Sequence, residues 1–208
     1  MKNESWLDAA GVFETLRTYD NKPFALAEHL ERLQRGIKDL DISAPSIEEI
    51  KDETYEYLES NRQKSGHLRL VVGSQGNLSI SHEPLLQLKE SLRVNLVENE
   101  FSTGLSYKST SYRSRLNLRI EAQNYGFDDS IICKGDEAVE AATCNIIFLR
   151  QGKWFTPPLS TGCLPGVTRQ LLISHFGIEE SSLTRKEIPG IEGIAVTSSL
   201  REIQRIQE

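Results

Sequence analysis

The chain has 208 residues, of which 38% are hydrophobic and 26% are charged, and its formal net charge is −6. This composition is typical of a soluble globular protein that is long enough for one or two domains and a substantial core. The negative charge excludes the basic footprint of a nucleic-acid-binding protein over the chain as a whole. No apolar run approaches the ~18 residues that a membrane-spanning helix needs, so we expect neither a nucleic-acid partner nor a membrane partner.

Cysteine and histidine usage argues against disulfides and metal sites. Cys133, Cys144 and Cys163 are odd in number and form no C-x-x-C pair, so we expect three buried free thiols. The four histidines are widely separated and have no metal-binding spacing, which predicts the absence of a metal centre. The first eight residues lack the basic and apolar segments of a signal peptide. We therefore expect a cytoplasmic protein.

The first half of the chain is predicted to combine strands with two helices. Residues 11–19 (GVFETLRTY) alternate as a strand does and lead into a turn. Apolar residues then recur at steps of 4, 3, 4 and 3, the stripe of an amphipathic helix that begins near Leu26. A second helix begins near Ser46, with Glu49 as its capping box, and runs to about Asn61. Further strands are predicted at residues 67–72, 77–82 and 92–98.

The second half is predicted to be richer in short strands. The polar stretch at residues 101–110 indicates an inter-domain link, so we expect an N-terminal α+β domain at 1–104 and a C-terminal domain at 105–208. A helix predicted over 112–125 ends at Gly126, a favourable residue after a helix C-terminus. Closely spaced strands follow, as in a curled or barrel-like β domain. They are predicted at residues 130–133, 138–140, 145–149, 153–156 and 193–197.

Two short segments have features of anion sites. Residues 164–168 (LPGVT) lead into a helix that stops at Gly177, and the backbone N–H groups and dipole at a helix start attract anions. Residues 197–199 (TSS) follow an apolar strand, and their hydroxyl and amide groups can also hold a phosphate. Taken alone, these segments are better explained as an ordinary capped helix and a solvated turn, which are the favoured interpretations.

Two charged residues are also open to more than one interpretation. Lys108 is the only lysine between Lys89 and Lys134, but a lone lysine is nearly always solvated. Glu140 lies in an otherwise apolar strand, where a carboxylate either faces outward or pairs with a buried cation. Patterns alone therefore predict an α+β protein with a candidate phosphate site.

Six short blocks of sequence follow one another in an order that is found in one known family. The blocks are 11–17 with 23–33 (GVFETLR and PFALAEHLERL), 108–112 (KSTSY), 125–131 (YGFDDSI), 139–148 (VEAATCNIIF), 156–159 (TPPL) and 164–169 (LPGVTR). Together they resemble the class IV pyridoxal-phosphate enzymes, which include branched-chain and D-amino acid aminotransferases and aminodeoxychorismate lyase. The resemblance implies pyridoxal phosphate as the cofactor. It also implies a two-lobed α+β fold, with a small N-terminal α/β sandwich and a C-terminal pseudo-barrel β domain with helices.

The resemblance implies a role for individual residues that hold the cofactor. Lys108 would form the Schiff base with pyridoxal phosphate and later move protons at the substrate Cα. Glu140 would pair with the pyridine nitrogen and keep it protonated, so that the ring acts as an electron sink. The phosphate would be bound by Arg32, the amides of Val167 and Thr168, the Thr168 hydroxyl and Ser199.

Three further residues would lie near the ring or the substrate. Leu164 would pack on the ring face, and Tyr112 would reach the O3′ oxygen. Arg69 lies in the strand that carries substrate-facing groups in relatives, although an exposed strand arginine is an equally good interpretation.

The resemblance leaves more than one reaction open. The short length and the segment at 108–112 favour a lyase that converts 4-amino-4-deoxychorismate to 4-aminobenzoate and pyruvate, a step of folate biosynthesis. The alternative is an aminotransferase that acts on a branched-chain or D-amino acid, and a third interpretation is a member that binds the cofactor without turnover. In each case the partner is a small molecule with an amino group, and relatives imply a homodimer.

Overall fold

The computed structural model of the protein describes residues 10–98, 106–110 and 112–207. These residues form two compact units, the first made of 10–87 with 106–110 and 112–113, and the second of the remainder. Helices and strands are both abundant, which confirms the predicted α+β class.

The first unit is an antiparallel sheet of four strands with two helices packed on it. Its elements are β1 (Gly11–Tyr19), β2 (Lys22–Pro23), α1 (Leu26–Asp39), α2 (Ile47–Ser60), β3 (Ser65–Gly73) and β4 (Leu78–Pro84). The strand order is β2-β1-β3-β4. The capping box predicted for α2 is confirmed, because the Glu49 N–H donates to Ser46 Oγ and the Ser46 N–H donates to Glu49 Oε2.

The two faces of this sheet have different chemistry. Even-numbered residues of β1 are fully buried and lie on the face that α1 covers, among them Leu16 and, unusually, Glu14. On the other face of β1, Phe13 is followed by the polar residues Thr15 and Arg17. There the strand register sets Thr15 opposite Arg69. Because side chains alternate along a strand, these residues share the face that the helices leave open.

Residues 106–110 belong to the first unit and are not a link. The Phe13 N–H donates to the Lys108 carbonyl at 3.0 Å, and the Thr110 N–H donates to β1 in turn. The polar composition of this segment predicted a link, but backbone hydrogen bonds form whatever side chains the strand carries. The rest of the predicted link, at 101–105, lies outside the described residues.

The second unit contains two sheets and two helices. Its elements are β5 (Ser91–Leu92), β6 (Val94–Glu98), α3 (Arg113–Asn124), β7 (Asp129–Lys134), β8 (Glu137–Ala141), β9 (Asn145–Arg150), β10 (Lys153–Thr156), a 3-10 turn (Leu159–Thr161), α4 (Val167–Phe176), β11 (Glu179–Glu180), a second 3-10 turn (Ile188–Gly190), β12 (Gly193–Ser198) and β13 (Glu202–Ile206). The sheets have the orders β11-β10-β9-β12-β13-β5 and β6-β7-β8. Ile131, Phe148 and Val196 come from both sheets and share one buried core.

The predicted domain boundary between residues 104 and 105 does not coincide with the division of the chain into these two units. Residues 88–98 belong to the second unit because β5 pairs with β13 and β6 pairs with β7. The short strands β2 and β11 and the strand β13 were not predicted, since they have no clear hydrophobic alternation, and the strand predicted at residues 92–98 is divided between β5 and β6. The three cysteines are buried and free, as predicted. Among the described residues, no helix is long and apolar enough to cross a membrane.

Candidate functional site

Lys108 lies against two aromatic rings on the open face of the first sheet. Its Nζ is 5.0 Å from the ring centroid of Phe13 and 5.4 Å from that of Tyr112. The two rings meet edge to face, with centroids 5.4 Å apart. We call these three residues the lysine cluster. The Lys108 side chain is therefore half-buried beside apolar surface and is not the freely solvated lysine that is the usual case.

Arg69, the predicted substrate residue, lies on the same open face of the sheet. It is half-buried, and its Nη2 lies 3.2 Å from His67 Nε2, within hydrogen-bond distance. In the strand register, His67 lies between Arg17 of β1 on one side and Glu83 of β4 on the other. We call Arg17, His67 and Arg69 the basic row.

On the helix-covered face, Glu14 is bound by two residues of α1. Arg32 donates from Nε to Oε1 at 2.7 Å and from Nη2 to Oε2 at 2.6 Å, a two-pronged ion pair. His29 Nδ1 lies 2.6 Å from Oε2. All three side chains are at most 3% exposed, so we call them the buried triad.

The charges of the buried triad follow from these contacts. Burial alone would raise the pKa of Glu14, but the Arg32 guanidinium and the hydrogen bonds outweigh it and lower that pKa to about 2. Burial also lowers the pKa of His29, and the positive charges of Arg32 and Lys108 act in the same direction. His29 is therefore neutral, and its Nδ1 carries the hydrogen that the Glu14 carboxylate accepts.

Arg32 was predicted to bind a phosphate, and the structure gives it Glu14 as an ion-pair partner. Binding of a phosphate by Arg32 therefore stays a prediction. Glu14 fixes the orientation of the Arg32 guanidinium. Glu14 and His29 were not predicted as site residues, although both lie in the family-like blocks. The available signal was a carboxylate on the inward face of an alternating strand.

In the second unit, Glu140 is buried and both of its oxygens face donors. Oε2 accepts from Asn145 Nδ2 at 3.2 Å and from the Leu164 N–H at 3.1 Å. Arg115 Nη2 lies 2.7 Å from Oε1 in an ion pair. Of the two alternatives in the sequence, Glu140 therefore takes the one with a buried cation. We call Glu140, Asn145, Leu164 and Arg115 the carboxylate cluster.

The start of α4 has the features of an anion site. Its first amides belong to Val167 and Thr168, and no side chain caps it. Thr168 Oγ1 lies 3.4 Å from Ser199 Oγ. Thr197, on β12 beneath α4, is 1% exposed and its hydroxyl has no hydrogen-bond partner among the described residues. We call Thr168, Thr197 and Ser199, with these amides, the hydroxyl cluster.

Gly166 connects the carboxylate and hydroxyl clusters. A Cβ atom at this position would lie 2.0 Å from Asn145 Oδ1, so any other residue would displace Asn145. The Asn145 amide also donates to the Leu164 carbonyl at 2.9 Å, which fixes the loop that enters α4. Asn145, Arg115 and Thr197 were missed by the sequence analysis, because their roles depend on which strands are neighbours.

Comparisons with known proteins agree on one family. The family described as amino-transferase class IV matches residues 11–208. The aminodeoxychorismate lyase of Bacillus subtilis (strain 168) is 29% identical over 195 residues, which cover 83% of this chain and 67% of that protein. The D-alanine aminotransferase of Bacillus licheniformis is 23% identical over 217 residues, 93% of this chain and 76% of that protein. The branched-chain aminotransferase structure from Thermoproteus uzoniensis has a TM-score of 0.85 at 29% identity, and the match covers 95% of this chain and 77% of that one.

Enzymes of this family depend on pyridoxal phosphate, and the lysine, carboxylate and hydroxyl clusters each contain groups that suit this cofactor. The uncapped start of α4 and the buried hydroxyl of Thr197 suit a phosphate. The carboxylate of Glu140 suits a ring nitrogen, and Lys108 offers an amine. The chain belongs to the class IV aminotransferases, a family of pyridoxal-phosphate-dependent enzymes.

Proposed function

We propose that the protein is a lyase that converts 4-amino-4-deoxychorismate to 4-aminobenzoate and pyruvate, a reaction that belongs to folate biosynthesis. The observation that carries this proposal is the basic row beside the lysine cluster. Two arginines and one glutamate give this part of the sheet a net positive charge. The lyase substrate carries two carboxylates, for which arginine is the preferred partner. The similarity to the lyase of Bacillus subtilis supports the same choice.

Each cluster then has a chemical task. Bound pyridoxal phosphate supplies an electron sink for negative charge at the substrate carbon. Lys108 would hold the cofactor covalently through Nζ and move the proton at the carbon that carries the amine. Glu140 would accept the N–H of the ring nitrogen, and Thr168 and Ser199 would donate to the phosphate oxygens. Leu164 would pack on the ring, and Tyr112 would donate to its O3′ oxygen.

The test is an assay of the holoenzyme with aminodeoxychorismate and no added keto acid. A lyase needs no amino acceptor, so we expect pyruvate and 4-aminobenzoate in equal amounts. Arg69→Gln should raise KM about tenfold or more through loss of a charged hydrogen bond. Arg62→Gln, on the exposed surface of the same unit, is the matched control and should leave KM unchanged. Absence of both products from active holoenzyme would rule the lyase assignment out.

An aminotransferase is the second candidate, because the match to the branched-chain aminotransferase extends over 95% of the chain. This activity would consume an amino acid and require a keto acid acceptor. Turnover of simple amino acids that depends on 2-oxoglutarate, without release of pyruvate from aminodeoxychorismate, would establish it. The same holoenzyme preparation serves both assays.

We infer that the working form is a homodimer in the cytoplasm. Several large apolar side chains are exposed on the first unit, among them Tyr19 and Phe24, which form an edge-to-face pair, and Tyr55. Of these, Tyr19 and Phe24 form a contiguous exposed apolar pair, the kind of feature that a partner surface covers. Sedimentation of the holoenzyme should give twice the 23.5 kDa mass of the chain. A monomer that retains the cofactor and full activity would contradict this inference.

A further inference from the structure

Arg115 occupies a position that its own helix does not favour. It lies in the first turn of α3, where the backbone N–H groups create a positive field that disfavours cations. No acidic residue of that turn offsets it, and Arg113 adds a second positive charge. The position of Arg115 therefore has to be explained by a contact outside the helix.

That contact is the carboxylate of Glu140. The ion pair at 2.7 Å is withdrawn from water, with the Arg115 side chain 13% exposed and the Glu140 side chain 3% exposed. The donors from Asn145 and Leu164 both bind Oε2. Arg115 thus places a positive charge in contact with Oε1 and balances the charge of the carboxylate within the second unit.

We propose that Arg115 is a positioning residue that keeps Glu140 ionised and aimed at the ring nitrogen of pyridoxal phosphate, an inference that rests on the proposed role of Glu140. A buried carboxylate without a cation tends to take up a proton, because burial disfavours the charged form. A neutral Glu140 could no longer stabilise a protonated ring nitrogen. Arginine suits the task because it stays charged at every pH at which the protein is folded.

The charge of Arg115 also has a second effect, which acts on protonation of the ring nitrogen in the opposite direction. The positive charge of Arg115 could repel a protonated ring nitrogen directly. Glu140 is in contact with Arg115, whereas a ring nitrogen that pairs with Glu140 would be farther from the guanidinium. Attraction to Glu140 therefore outweighs repulsion of the ring, and removal of Arg115 should make the ring nitrogen harder to protonate.

The visible absorption of the holoenzyme distinguishes these effects. It titrates with protonation of the nitrogen that joins Lys108 to the cofactor, and a positive charge on the ring nitrogen lowers the midpoint of that titration. We expect Arg115→Gln to raise the midpoint by at least about one pH unit, a tenfold change in proton affinity. The dissociation constant of the cofactor should rise about tenfold or more.

The controls separate Arg115 from its surroundings. Arg113→Gln removes a charge from the same helical turn and should leave the midpoint unchanged. Arg115→Lys keeps the charge and should restore a midpoint near that of the wild type. Because Arg115 acts through Glu140, Glu140→Gln should raise the midpoint too, and the double variant should add nothing to that shift.

Three outcomes would decide against the proposal. An unchanged or lowered midpoint in Arg115→Gln, with a raised one in Glu140→Gln, would overturn the role of Arg115 and leave the proposed function intact. If Arg115→Gln does not fold, a midpoint in Arg115→Lys that is shifted as far as in Glu140→Gln would overturn it. An unchanged midpoint in Glu140→Gln would instead remove the proposed role of Glu140, and the inference with it.

Discussion

Replacing Lys108 by alanine is expected to reduce turnover at least about 10³-fold while the protein stays folded. The variant lacks the amine that holds the cofactor and moves the proton, and removal of a group that acts in both ways has effects of this size. The fold should survive because the side chain is half-buried and its contacts with Phe13 and Tyr112 are worth only about 0.5–1 kcal/mol each. Steady-state rates and thermal unfolding of the same preparation measure both quantities.

The matched control for this experiment is Lys51→Ala. Lys51 is exposed on α2 in the same unit, so its loss should leave both rate and unfolding temperature unchanged. Wild-type rates in Lys108→Ala would remove the lysine cluster from the mechanism. A rate loss accompanied by unfolding would reduce Lys108 to a structural residue.

Glu14→Gln is expected to lower the free energy of unfolding by about 3–5 kcal/mol at pH 7. The substitution keeps the size of the side chain but leaves the Arg32 guanidinium, 3% exposed, without its charged partner. Removal of one member of a buried ion pair has effects of this magnitude. Urea unfolding measures the difference, and Glu53→Gln, exposed on α2, should change stability by less than about 0.5 kcal/mol.

The pH dependence of this difference gives an independent check. The pKa of Glu14 falls from its ordinary 4.5 to about 2 on folding, so its contribution to stability is complete above pH 4.5. It is lost as the pH falls from 4.5 towards 2, because the unfolded chain takes up the proton first. The gap between wild type and Glu14→Gln should therefore narrow over that interval. A gap that stays constant from pH 7 to pH 3 would mean that the Glu14 charge is not its source.

His29 and Asp129 affect the pH profiles of both proteins. The lowered pKa of His29 means that the unfolded chain binds a proton near pH 6.5 while the folded protein does not, so stability declines below that pH. Asp129 is fully buried, and burial raises its pKa, so its effect on the pH dependence of stability is opposite to that of His29. The contribution of Asp129 to stability declines as the pH rises above 3.8. These effects are the reason for comparing a variant with the wild type rather than interpreting one profile alone.

Local chemistry explains which elements could be predicted. The α1 stripe and the capping box at Ser46 and Glu49 are properties of neighbouring residues, and the structure has both. The segment at 106–110 was predicted as a link because its residues are polar. Its hydrogen bonds join β1, almost a hundred positions earlier in the chain, and no local pattern records that pairing.

The candidate site was predictable to the same limited degree. Lys108 and Glu140 were predicted as site residues through the resemblance of the blocks around them to a known family. Their neighbours were not, because an arginine in the first turn of a helix does not indicate which strand that helix covers. The pairing of Arg115 with Glu140 and the placement of Glu14 beside Arg32 are consequences of tertiary packing.

The most direct measurement for the central claim is reduction of the holoenzyme with borohydride, followed by proteolysis and mass spectrometry. Reduction makes the bond between a lysine Nζ and the cofactor permanent, so the modified residue can be identified. We expect the pyridoxyl-phosphate group on the peptide that contains Lys108 and on no other lysine. Modification of a different lysine, or a cofactor-loaded protein with no modified lysine, would contradict the proposed site.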